Sequence, residues 1–487
     1  MEDKVILVGI DGASWTVLAP LLSRGELPNL GRLVSKSVVG VLQSTVPALS
    51  PPAWTSMFTG VNPGKHGIVD FLLHEGDEFV TCYSRFRMCD SIWRIVSSLG
   101  RKCIVINDPV TYPPEEVNGI MTTGMMTPPE SDNWIYPREL RSEIDMVAGG
   151  YITDIPGDFV SLILNDRSRA AELIEDLTVK VFRVSKYAAS KYEWDLLAAF
   201  FTASDRLQHY WWNDQSQLSK YYTMLDLMLA EYVKLADAAN ADLIIVSDHG
   251  FGPARRLFRL DKWLQESGFA LYKKTAFSRT MSAIGLSRTN IIKLWPNWRT
   301  TFMTWPKFMR EALRRVVPEG ENVLDRRRSE AYGMSAGGGV FVNGDKIHDV
   351  AMKLREATDT TTGERVFEEV LYRDDVLKGP YSYRAPDILM RPRLGYYSFP
   401  WDMTEGMSVE KYQAVFTGVH RPEGIFVHYR PERPQIAGTP IPVSLRPWDV
   451  TALALSAMGV RVPEYFDGKV PSYASEGQEP ARRPQLN

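Results

Sequence analysis

Short runs rich in Val, Ile, Leu and Phe alternate along this chain with longer amphipathic stretches. A parallel sheet flanked by helices has this appearance, because strands that are buried on both faces read as continuous apolar runs. We therefore predict an α/β fold in which helices cover a largely parallel sheet. The strands that the sequence predicts most clearly are residues 5–10, 102–107, 119–124, 195–202 and 242–247.

Acidic residues follow three of these predicted strands. Asp11 comes directly after the first strand, and Asp205 and Asp248 follow the strands at 195–202 and 242–247. In an open α/β sheet, ligands collect beyond the carboxyl ends of the strands. We therefore expect the three carboxylates to converge at one edge of the sheet.

Histidines accompany these carboxylates. His209 is four residues after Asp205, so both side chains share one face if Asp205 opens a helix. His249 follows Asp248 directly, and Gly250 allows the chain to turn so that both side chains point inward. A third histidine, His420, ends the stretch Gly418-Val419-His420.

Together these groups supply three carboxylates and three imidazoles, enough to hold two divalent metal ions. Each segment alone also has an ordinary explanation. An acid after a strand can cap a helix, and a single histidine is more often a surface or core residue. The joint occurrence of the segments favours the metal site.

Ser50 is the candidate nucleophile. It precedes Pro51, Pro52 and a helix-forming run at 53–58, which predicts a helix with Ser50 as its N-cap and proline in the first turn. A helix start favours a bound phosphate, and a metal ion on the serine oxygen would lower its pKa. The alternative is an ordinary capping serine.

The remaining histidines have weaker patterns. His66 lies in the turn-rich stretch 62–67 and can orient a loop or hydrogen-bond a ligand. Three others lie outside any ligand pattern, and we assign them to structure: His74, His348 and His428.

Composition limits the partners and the compartment. A net charge of −3 over 487 residues gives no indication of general nucleic-acid binding, so any anionic substrate must be met by a local patch. The three cysteines, Cys82, Cys89 and Cys103, are odd in number and lack zinc-site spacing, which suits a reducing compartment. The chain enters a strand without a basic leader, and no apolar run is long enough to span a membrane. We expect a cytoplasmic protein.

The middle of the chain differs in character. Residues 271–328 are rich in Lys, Arg and aromatic residues, and we predict a helical insertion that caps the sheet of one catalytic domain, residues 1–270 and 329–470. The insertion can be a solvated subdomain with its own small core, can rest on a membrane surface, or can select an anionic substrate through Arg314 and Arg315.

Further elements are expected after the insertion. They are strands at 340–343 and 387–391, a closing helix at 448–458, and a polar, Pro-rich tail at 471–487 that we predict to be disordered.

These motifs, in this order, resemble the alkaline phosphatase superfamily. The similarity rests on Asp11-Gly12, on Ser50 before the stretch 59–68, and on the segments around Asp205, Asp248 and His420. The type I phosphodiesterase/nucleotide pyrophosphatase branch is the most similar, particularly its bacterial and archaeal phosphohydrolase/phosphomutase proteins. Residues 108–114 and 467–469 also look like that group, so the resemblance runs from about residue 4 to 470.

The resemblance implies an alkaline phosphatase-like fold with a mixed, mostly parallel sheet, and a site for two zinc ions, with manganese as the alternative. The first ion, which would activate Ser50, would be held by Asp11, Asp248 and His249. The second ion, which would steady the leaving oxygen, would be held by Asp205, His209 and His420. Ser50 would attack phosphorus in line and form a phosphoseryl intermediate that water then hydrolyses.

The chain departs from the pattern of these relatives at three positions. The nucleotide-cleaving relatives usually have Thr in place of Ser50, and they have an Asn, aligned with Phe71, that holds a phosphoryl oxygen. Because a phenyl ring cannot donate that bond, we expect the donor to be a backbone N–H near Ser50, or Lys65 or Asn107, the last two as substrate-binding residues. Trp54 stands where sulfatases of the superfamily need Arg, which argues against sulfatase activity.

The motifs and the resemblance together predict a hydrolase of phosphate esters that acts on a small phosphorylated substrate, with diesters favoured over monoesters. One alternative is a phosphomutase, which would return the phosphoryl group to another hydroxyl of the same molecule. The other is a catalytically inactive binding protein of the same fold, which only the Phe71 substitution favours.

Overall fold

A computed structural model gives the fold of the chain. It describes residues 3–75, 78–155, 159–271, 324–334, 338–399, 408–411, 416–431 and 445–475.

The strands are, in chain order, β1 (Lys4–Ile10), β2 (Val38–Gln43), β3 (Leu72–Glu75), β4 (Glu78–Thr81), β5 (Cys103–Asp108), β6 (Gly119–Thr123), β7 (Ile135–Tyr136), β8 (Leu196–Phe201), β9 (Ala241–Val246), β10 (Gly250–Pro253), β11 (Arg256–Arg259), β12 (Ala331–Gly333), β13 (Gly339–Val342), β14 (Phe367–Tyr372), β15 (Ile388–Pro392), β16 (Tyr396–Phe399), β17 (Val409–Lys411), β18 (Gly418–Arg421) and β19 (Glu423–Tyr429).

The α-helices are α1 (Trp15–Ser23), α2 (Pro28–Val34), α3 (Ser50–Thr59), α4 (Pro63–His66), α5 (Ile92–Ser98), α6 (Arg141–Ala148), α7 (Phe159–Asn165), α8 (Arg167–Lys191), α9 (Ala203–Trp211), α10 (Gln215–Ala239), α11 (Leu260–Glu266), α12 (Ile347–Glu356), α13 (Arg373–Val376), α14 (Pro447–Ala457) and α15 (Ser472–Ser475). Short 3₁₀ helices lie at Ser84–Phe86, Arg138–Leu140 and Ser382–Arg384.

The central sheet has eight strands in the order β2-β19-β9-β1-β8-β5-β6-β7. The neighbouring strands β9, β1, β8, β5 and β6 are parallel to one another. β19 runs antiparallel to β9 and β2, and β7 runs antiparallel to β6. The mixed, mostly parallel sheet predicted from the sequence is thereby confirmed. The strands expected in it, β1, β5, β6, β8 and β9, all form within one or two residues of their expected ends.

Side chains of the central strands alternate between two helical layers. In β1, Ile6 and Val8 pack into a core formed with α1, α2, α8 and α10. Val5 and Leu7 point to the other face and pack with α3, α5 and α14. Because both faces of the strand are covered, its sequence has no polar alternation.

The long helices α8 and α10 begin at aspartate caps. The Asp166 carboxylate accepts the backbone N–H of Arg169, and the Asp214 carboxylate accepts that of Gln217. These bonds satisfy amides at the helix start that have no partner within the helix. At its other end, α10 stops at Asn240, which adopts a left-handed conformation with φ 49°.

Smaller sheets lie beside the carboxyl edge of the central sheet. An antiparallel sheet has the order β12-β13-β15-β14, and a three-stranded sheet has the order β16-β11-β17. A two-stranded ladder of β10 and β18 connects them to the central strands and pairs Phe251 with His420. The strands expected near 340–343 and 387–391 and the helix expected at 448–458 form as β13, β15 and α14.

The sequence also predicted a disordered tail at 471–487 and a helical insertion at 271–328. Helix α15 lies within the stretch 471–487 that was predicted to be a disordered tail, and there Tyr473 bonds His428 and Ala474 packs into the core. Residues 476–487 are outside the described residues. The predicted helical insertion lies almost wholly outside the described residues, since 272–323 are not among them. Among the helices that the structure describes, none has both the length and the apolar character needed to cross a membrane.

Candidate active site

Helix α3 places Ser50 at the carboxyl edge of the central sheet. The helix begins at Ser50 itself, and Leu49 occupies the N-cap position with extended backbone angles, φ −127° and ψ 143°. The expectation that Ser50 is the N-cap is therefore wrong by one residue. Its buried hydroxyl oxygen lies 3.2 Å from Nε2 of His249.

The first ligand group consists of Asp11, Asp248 and His249, all fully buried. His249 Nε2 lies 3.1 Å from Asp248 Oδ2 and 3.6 Å from Asp11 Oδ1. The other oxygen of each carboxylate is fixed by the protein. Asp11 Oδ2 accepts the Trp54 indole N–H at 3.0 Å, and Asp248 Oδ1 accepts the Gly12 backbone N–H at 3.1 Å.

The second group consists of Asp205, His209 and His420. Asp205 is in the first turn of α9, and His209 lies one turn later on the same face, with its Nε2 3.4 Å from Asp205 Oδ1. His420, on β18, has its Nε2 3.0 Å from that same oxygen and 3.0 Å from His209 Nε2. The i, i+4 prediction for Asp205 and His209 thus holds in the geometry.

Backbone carbonyls orient all three imidazoles. The Nδ1 atoms of His209, His249 and His420 each lie within hydrogen-bonding distance of a carbonyl oxygen, which can only accept. Nδ1 must therefore carry the proton, and in a neutral ring Nε2 presents a lone pair to the site. The acceptors are the carbonyls of Gly418, Gly250 and Ala48, at 3.0, 3.1 and 2.9 Å respectively.

The two groups are adjacent. The rings of His249 and His420 stack with their centroids 3.7 Å apart, so one imidazole from each group lies against the other. Ser50 borders His249 on the side of the helix start. The six side chains and the hydroxyl therefore form one site, as the sequence predicted.

Burial dominates the protonation of the first group. Desolvation, followed by the nearby charge of Asp248, raises the pKa of Asp11 well above its ordinary value. Desolvation also raises the pKa of Asp248 to about 7, and it holds the pKa of His249 well below its ordinary range. In the second group burial opposes ionisation of Asp205, but His209 and His420 lower the pKa of that carboxyl well below its usual value.

The residues fit bound divalent cations. Asp11 Oδ1 and Asp248 Oδ2 are buried without a hydrogen-bond partner, and the lone pair of His249 faces them. In the second group, the lone pairs of His209 and His420 face each other at 3.0 Å. Such arrangements are repulsive unless a cation lies between the donor atoms. Carboxylate oxygen and imidazole nitrogen are ligands that zinc and manganese accept, and three protein ligands per ion leave a position open for substrate.

Arg206 is a site residue that the sequence prediction missed. Its Nη1 donates to Asp205 Oδ2 at 2.6 Å, and its Nη2 lies 3.4 Å from Asp154 Oδ2. The guanidinium fixes one carboxylate oxygen so that the other faces the two histidines. Adjacency to Asp205 was the available signal, whereas Asp154 is 52 residues away and gave none.

Trp54 and Gly12 are also site residues, through the bonds to Asp11 and Asp248 described above. Both positions were noted in the sequence only as parts of motifs. Their role depends on contacts across the fold, which a motif does not specify.

Two residues expected to contact substrate form bonds within the protein. The Lys65 ammonium forms an ion pair with Asp467 at 2.7 Å and donates to the Tyr465 carbonyl. The buried Asn107 amide donates to the Phe200 carbonyl and accepts from Tyr151. Both side chains are engaged in holding the fold, and their contact with a substrate stays a prediction. Arg314 and Arg315 lie outside the described residues.

His66 orients a loop, one of the two roles foreseen for it. Its Nε2 lies 2.9 Å from the Ser56 hydroxyl, and its Nδ1 accepts the Ile68 backbone N–H at 3.1 Å. The histidines assigned to structure, His74, His348 and His428, belong to neither ligand group.

A cavity of about 340 Å³ opens beside the site. Ser50, Asp205 and His420 line one wall, and Phe71 is also part of the lining. The opposite wall comes from β15 and β16 of the smaller sheets. A substrate bound there can place a phosphoryl group against Ser50 and the second ligand group.

Three solved structures share the fold of this chain. The phosphonoacetate hydrolase of Sinorhizobium meliloti 1021, solved with phosphonoformate, is 16% identical with a TM-score of 0.58, and the alignment covers 94% of this chain and 96% of that one. Human ectonucleotide pyrophosphatase/phosphodiesterase 5 is 15% identical with a TM-score of 0.53, covering 96% and 97%. The murine form of the latter is 13% identical with a TM-score of 0.52, covering 95% and 96%.

At these identities the likeness establishes the fold alone, a large and mostly parallel sheet flanked by helices. The class that the fold and the site define is an α/β protein with two adjacent candidate metal-ligand groups. No curated protein sequence matches the chain.

The sequence profile of the type I phosphodiesterase/nucleotide pyrophosphatase family matches residues 5–417. This protein therefore belongs to the type I phosphodiesterase/nucleotide pyrophosphatase family.

Proposed function

We propose that this enzyme cleaves phosphodiesters with Ser50 as its nucleophile, and that its two ligand groups bind two divalent metal ions. The observation that carries the proposal is the position of the Ser50 hydroxyl. It lies at the start of α3, 3.2 Å from a member of the first group, in the lining of the cavity that also reaches the second group.

In the proposed reaction, Ser50 Oγ attacks phosphorus and the P–O bond to the leaving alcohol breaks in line. Water then attacks the phosphoserine, the Ser–O–P bond breaks, and a phosphomonoester leaves. When bound, the two ions would lower the pKa of the Ser50 hydroxyl and offset negative charge on the entering and leaving oxygens.

The start of α3 supplies a donor for the phosphoryl oxygens. Pro51 and Pro52 have no N–H, and the Ala53 N–H is used by the Leu49 carbonyl at 3.1 Å. The Ser50 N–H is therefore the one amide of the first helical turn that no helical hydrogen bond uses. We propose that it takes the place of the side-chain donor that Phe71 cannot provide.

Zinc is the metal that we propose for both groups, with manganese as the alternative. The support is chemical: a mixed set of buried carboxylate and imidazole ligands, three per ion, is typical of catalytic zinc. Metal analysis of the purified protein decides between the two.

The test is hydrolysis of bis-4-nitrophenyl phosphate and 4-nitrophenyl phosphate by the metal-loaded protein. We expect the diester to be the better substrate, and we expect Ser50→Ala to lower kcat by about a thousandfold or more, because removing the nucleophile leaves only binding and charge stabilisation. Ser50→Thr is the matched control, since it keeps a hydroxyl and should keep measurable turnover.

Equal rates for Ser50→Ala and the wild type would refute the nucleophile, provided that both proteins melt at the same temperature. Absence of turnover in the wild type would favour the binding-protein alternative. Reaction in ¹⁸O water separates hydrolysis from mutase activity, because only hydrolysis places solvent oxygen on phosphate.

A further inference from the structure

The cavity beside Ser50 has a mainly apolar wall. Its volume of about 340 Å³ is near the lower end of the roughly 300–1,000 Å³ typical of small-molecule sites, so it has room for one organic group of modest size. Aromatic side chains from three separate segments of the chain contribute to the lining. They are Phe71, Tyr396, Tyr397, Phe399 and Phe416.

The positive charges in the described part of this lining are already neutralised. Each arginine there faces at least one carboxylate of the protein. The pairs are Arg206 with Asp205 and Asp154, Arg391 with Glu369, and Arg421 with Glu368. A polyanionic group in the cavity would compete with these carboxylates and would lose its hydration without gaining a free counter-charge.

Ser398 adds a buried hydroxyl to the mainly apolar lining. Its side chain is only 3% exposed, its hydroxyl has no hydrogen-bond partner, and it belongs to the cavity lining. Strand β16 fixes its backbone by pairing it with Phe258 of β11. Since a buried hydroxyl without a partner is costly, a ligand atom that bonds it gains affinity.

We propose that this cavity selects phosphodiesters in which one ester group is uncharged and mainly apolar, such as an aryl group, and that Ser398 gives that group its hydrogen bond. This rests on the proposed function, because it assumes that the phosphoryl group lies at Ser50. The substrate class is a phosphodiester with one apolar ester group, as opposed to a nucleoside polyphosphate.

Calorimetric binding to the metal-loaded Ser50→Ala protein tests the selectivity without turnover. The probes are dimethyl phosphate, diphenyl phosphate and bis(4-carboxyphenyl) phosphate. We expect diphenyl phosphate to bind at least about tenfold more tightly than dimethyl phosphate, because burying a ring removes apolar surface from water. The carboxylated ester should bind at least about tenfold more weakly than diphenyl phosphate, because its carboxylates meet no unpaired arginine among the described residues of the lining. Equal affinities, or tightest binding of the carboxylated ester, would overturn the proposal.

Variants locate the effect in the cavity. Phe71→Ala should reduce the ratio between diphenyl and dimethyl phosphate several-fold. Phe182→Ala, on α8 and outside the cavity lining, is the matched control and should leave the ratio unchanged. Ser398→Ala should weaken bis(4-nitrophenyl) phosphate, which carries hydrogen-bond acceptors, more than diphenyl phosphate. An unchanged ratio in Ser398→Ala would remove the role of this hydroxyl.

Turnover of methyl 4-nitrophenyl phosphate by the wild-type protein tests the proposed function separately. Turnover without any preference among the bound esters would overturn the selectivity and leave the Ser50 chemistry in place. A clear binding preference without turnover would overturn the Ser50 chemistry and leave the selectivity in place.

Discussion

His249 is the residue on which the chemistry of the site converges. Its Nε2 lies within 3.6 Å of the Ser50 hydroxyl and of both carboxylates of its group, and its ring stacks on His420 of the other group. Burial keeps its pKa low, so the ring is neutral and its lone pair is free for a cation. One side chain therefore contacts Ser50 and members of both ligand groups.

The buried carboxylates make the stability of the metal-free protein depend on pH. The pKa of Asp248 is about 7 in the fold and 3.8 ordinarily, so the folded state binds the additional proton between about pH 4 and pH 7. The stabilising contribution of this group is present below about pH 4 and is lost as the pH rises through about 7. Metal binding needs the ionised carboxylate, so a bound divalent ion should counteract the loss.

The measurement is the Tm of chelator-treated protein, compared with that of Asp248→Asn, which cannot titrate at this position. We expect the Tm of the wild type, relative to Asp248→Asn, to fall by several degrees over that window. A relative Tm that rises with pH would contradict the raised pKa.

At the level of single residues, the sequence was sufficient to predict where the side chains that follow strands would lie. Asp11, Asp205 and Asp248 converge because parallel strands end at one edge of the sheet. Lys65 and Asn107 were harder to place, because the contacts that hold them, such as Lys65 with Asp467, connect residues far apart in sequence.

At the scale of elements, helix α3 determines where Ser50, the proposed nucleophile, lies. All of its residues are buried, and it ends at Gly60, which has a φ of 70°. A side chain at Gly60 would place its Cβ 2.2 Å from the Phe466 ring. The end of the helix is therefore fixed both by backbone conformation and by packing.

We expect Gly60→Ala to destabilise the protein and to lower kcat, because the helix that carries Ser50 must shift. Gly149→Ala is the matched control, since Gly149 follows α6 with φ 69° and no heavy atom lies near its Cβ position. The control should lose roughly 1–2 kcal/mol from the left-handed backbone alone. Gly60→Ala should lose at least about 1 kcal/mol more from the clash. Urea unfolding measures both losses, and equal losses would contradict the packing argument.

The strands that the sequence did not predict include the antiparallel ones on one side of the central sheet. The parallel strands β1, β8 and β9 were predicted, whereas β2 and β19 were not. β19 runs antiparallel to both β9 and β2, so the alternation of strands and helices that indicates parallel pairing does not reveal it. The ladder of β10 and β18, which brings His420 to His249, is not revealed by that alternation either. Local pattern carries little information about such pairings.

At the scale of the whole molecule, the fold class follows from the alternation of strands and helices, because that alternation admits few architectures. Strands β13 and β15 of the smaller sheets were predicted, but the way in which these sheets combine to line the cavity did not follow from that alternation. Their strands are short, and the chain enters them only after residue 249. Substrate selection therefore lies in the part of the molecule that the sequence specified least.

The basic insertion at 271–328, of which 272–323 lie outside the described residues, remains our proposal for a substrate-selecting cap. If it faces the cavity, replacing Arg314 and Arg315 with Gln should raise KM several-fold and leave kcat unchanged, because only binding is affected. Arg169→Gln, at an exposed position on α8, is the control and should change neither constant. Unchanged kinetics of the double variant on a good substrate would remove the insertion from substrate binding.

Metal content per chain, measured on dialysed protein by plasma mass spectrometry, tests the two-ion site most directly. We predict two divalent ions per chain for the wild type, one for each ligand group, and one for the double variant Asp205→Asn/His209→Ala, with the first group still loaded. A wild type without bound divalent ions, or a double variant that keeps both, would contradict this account.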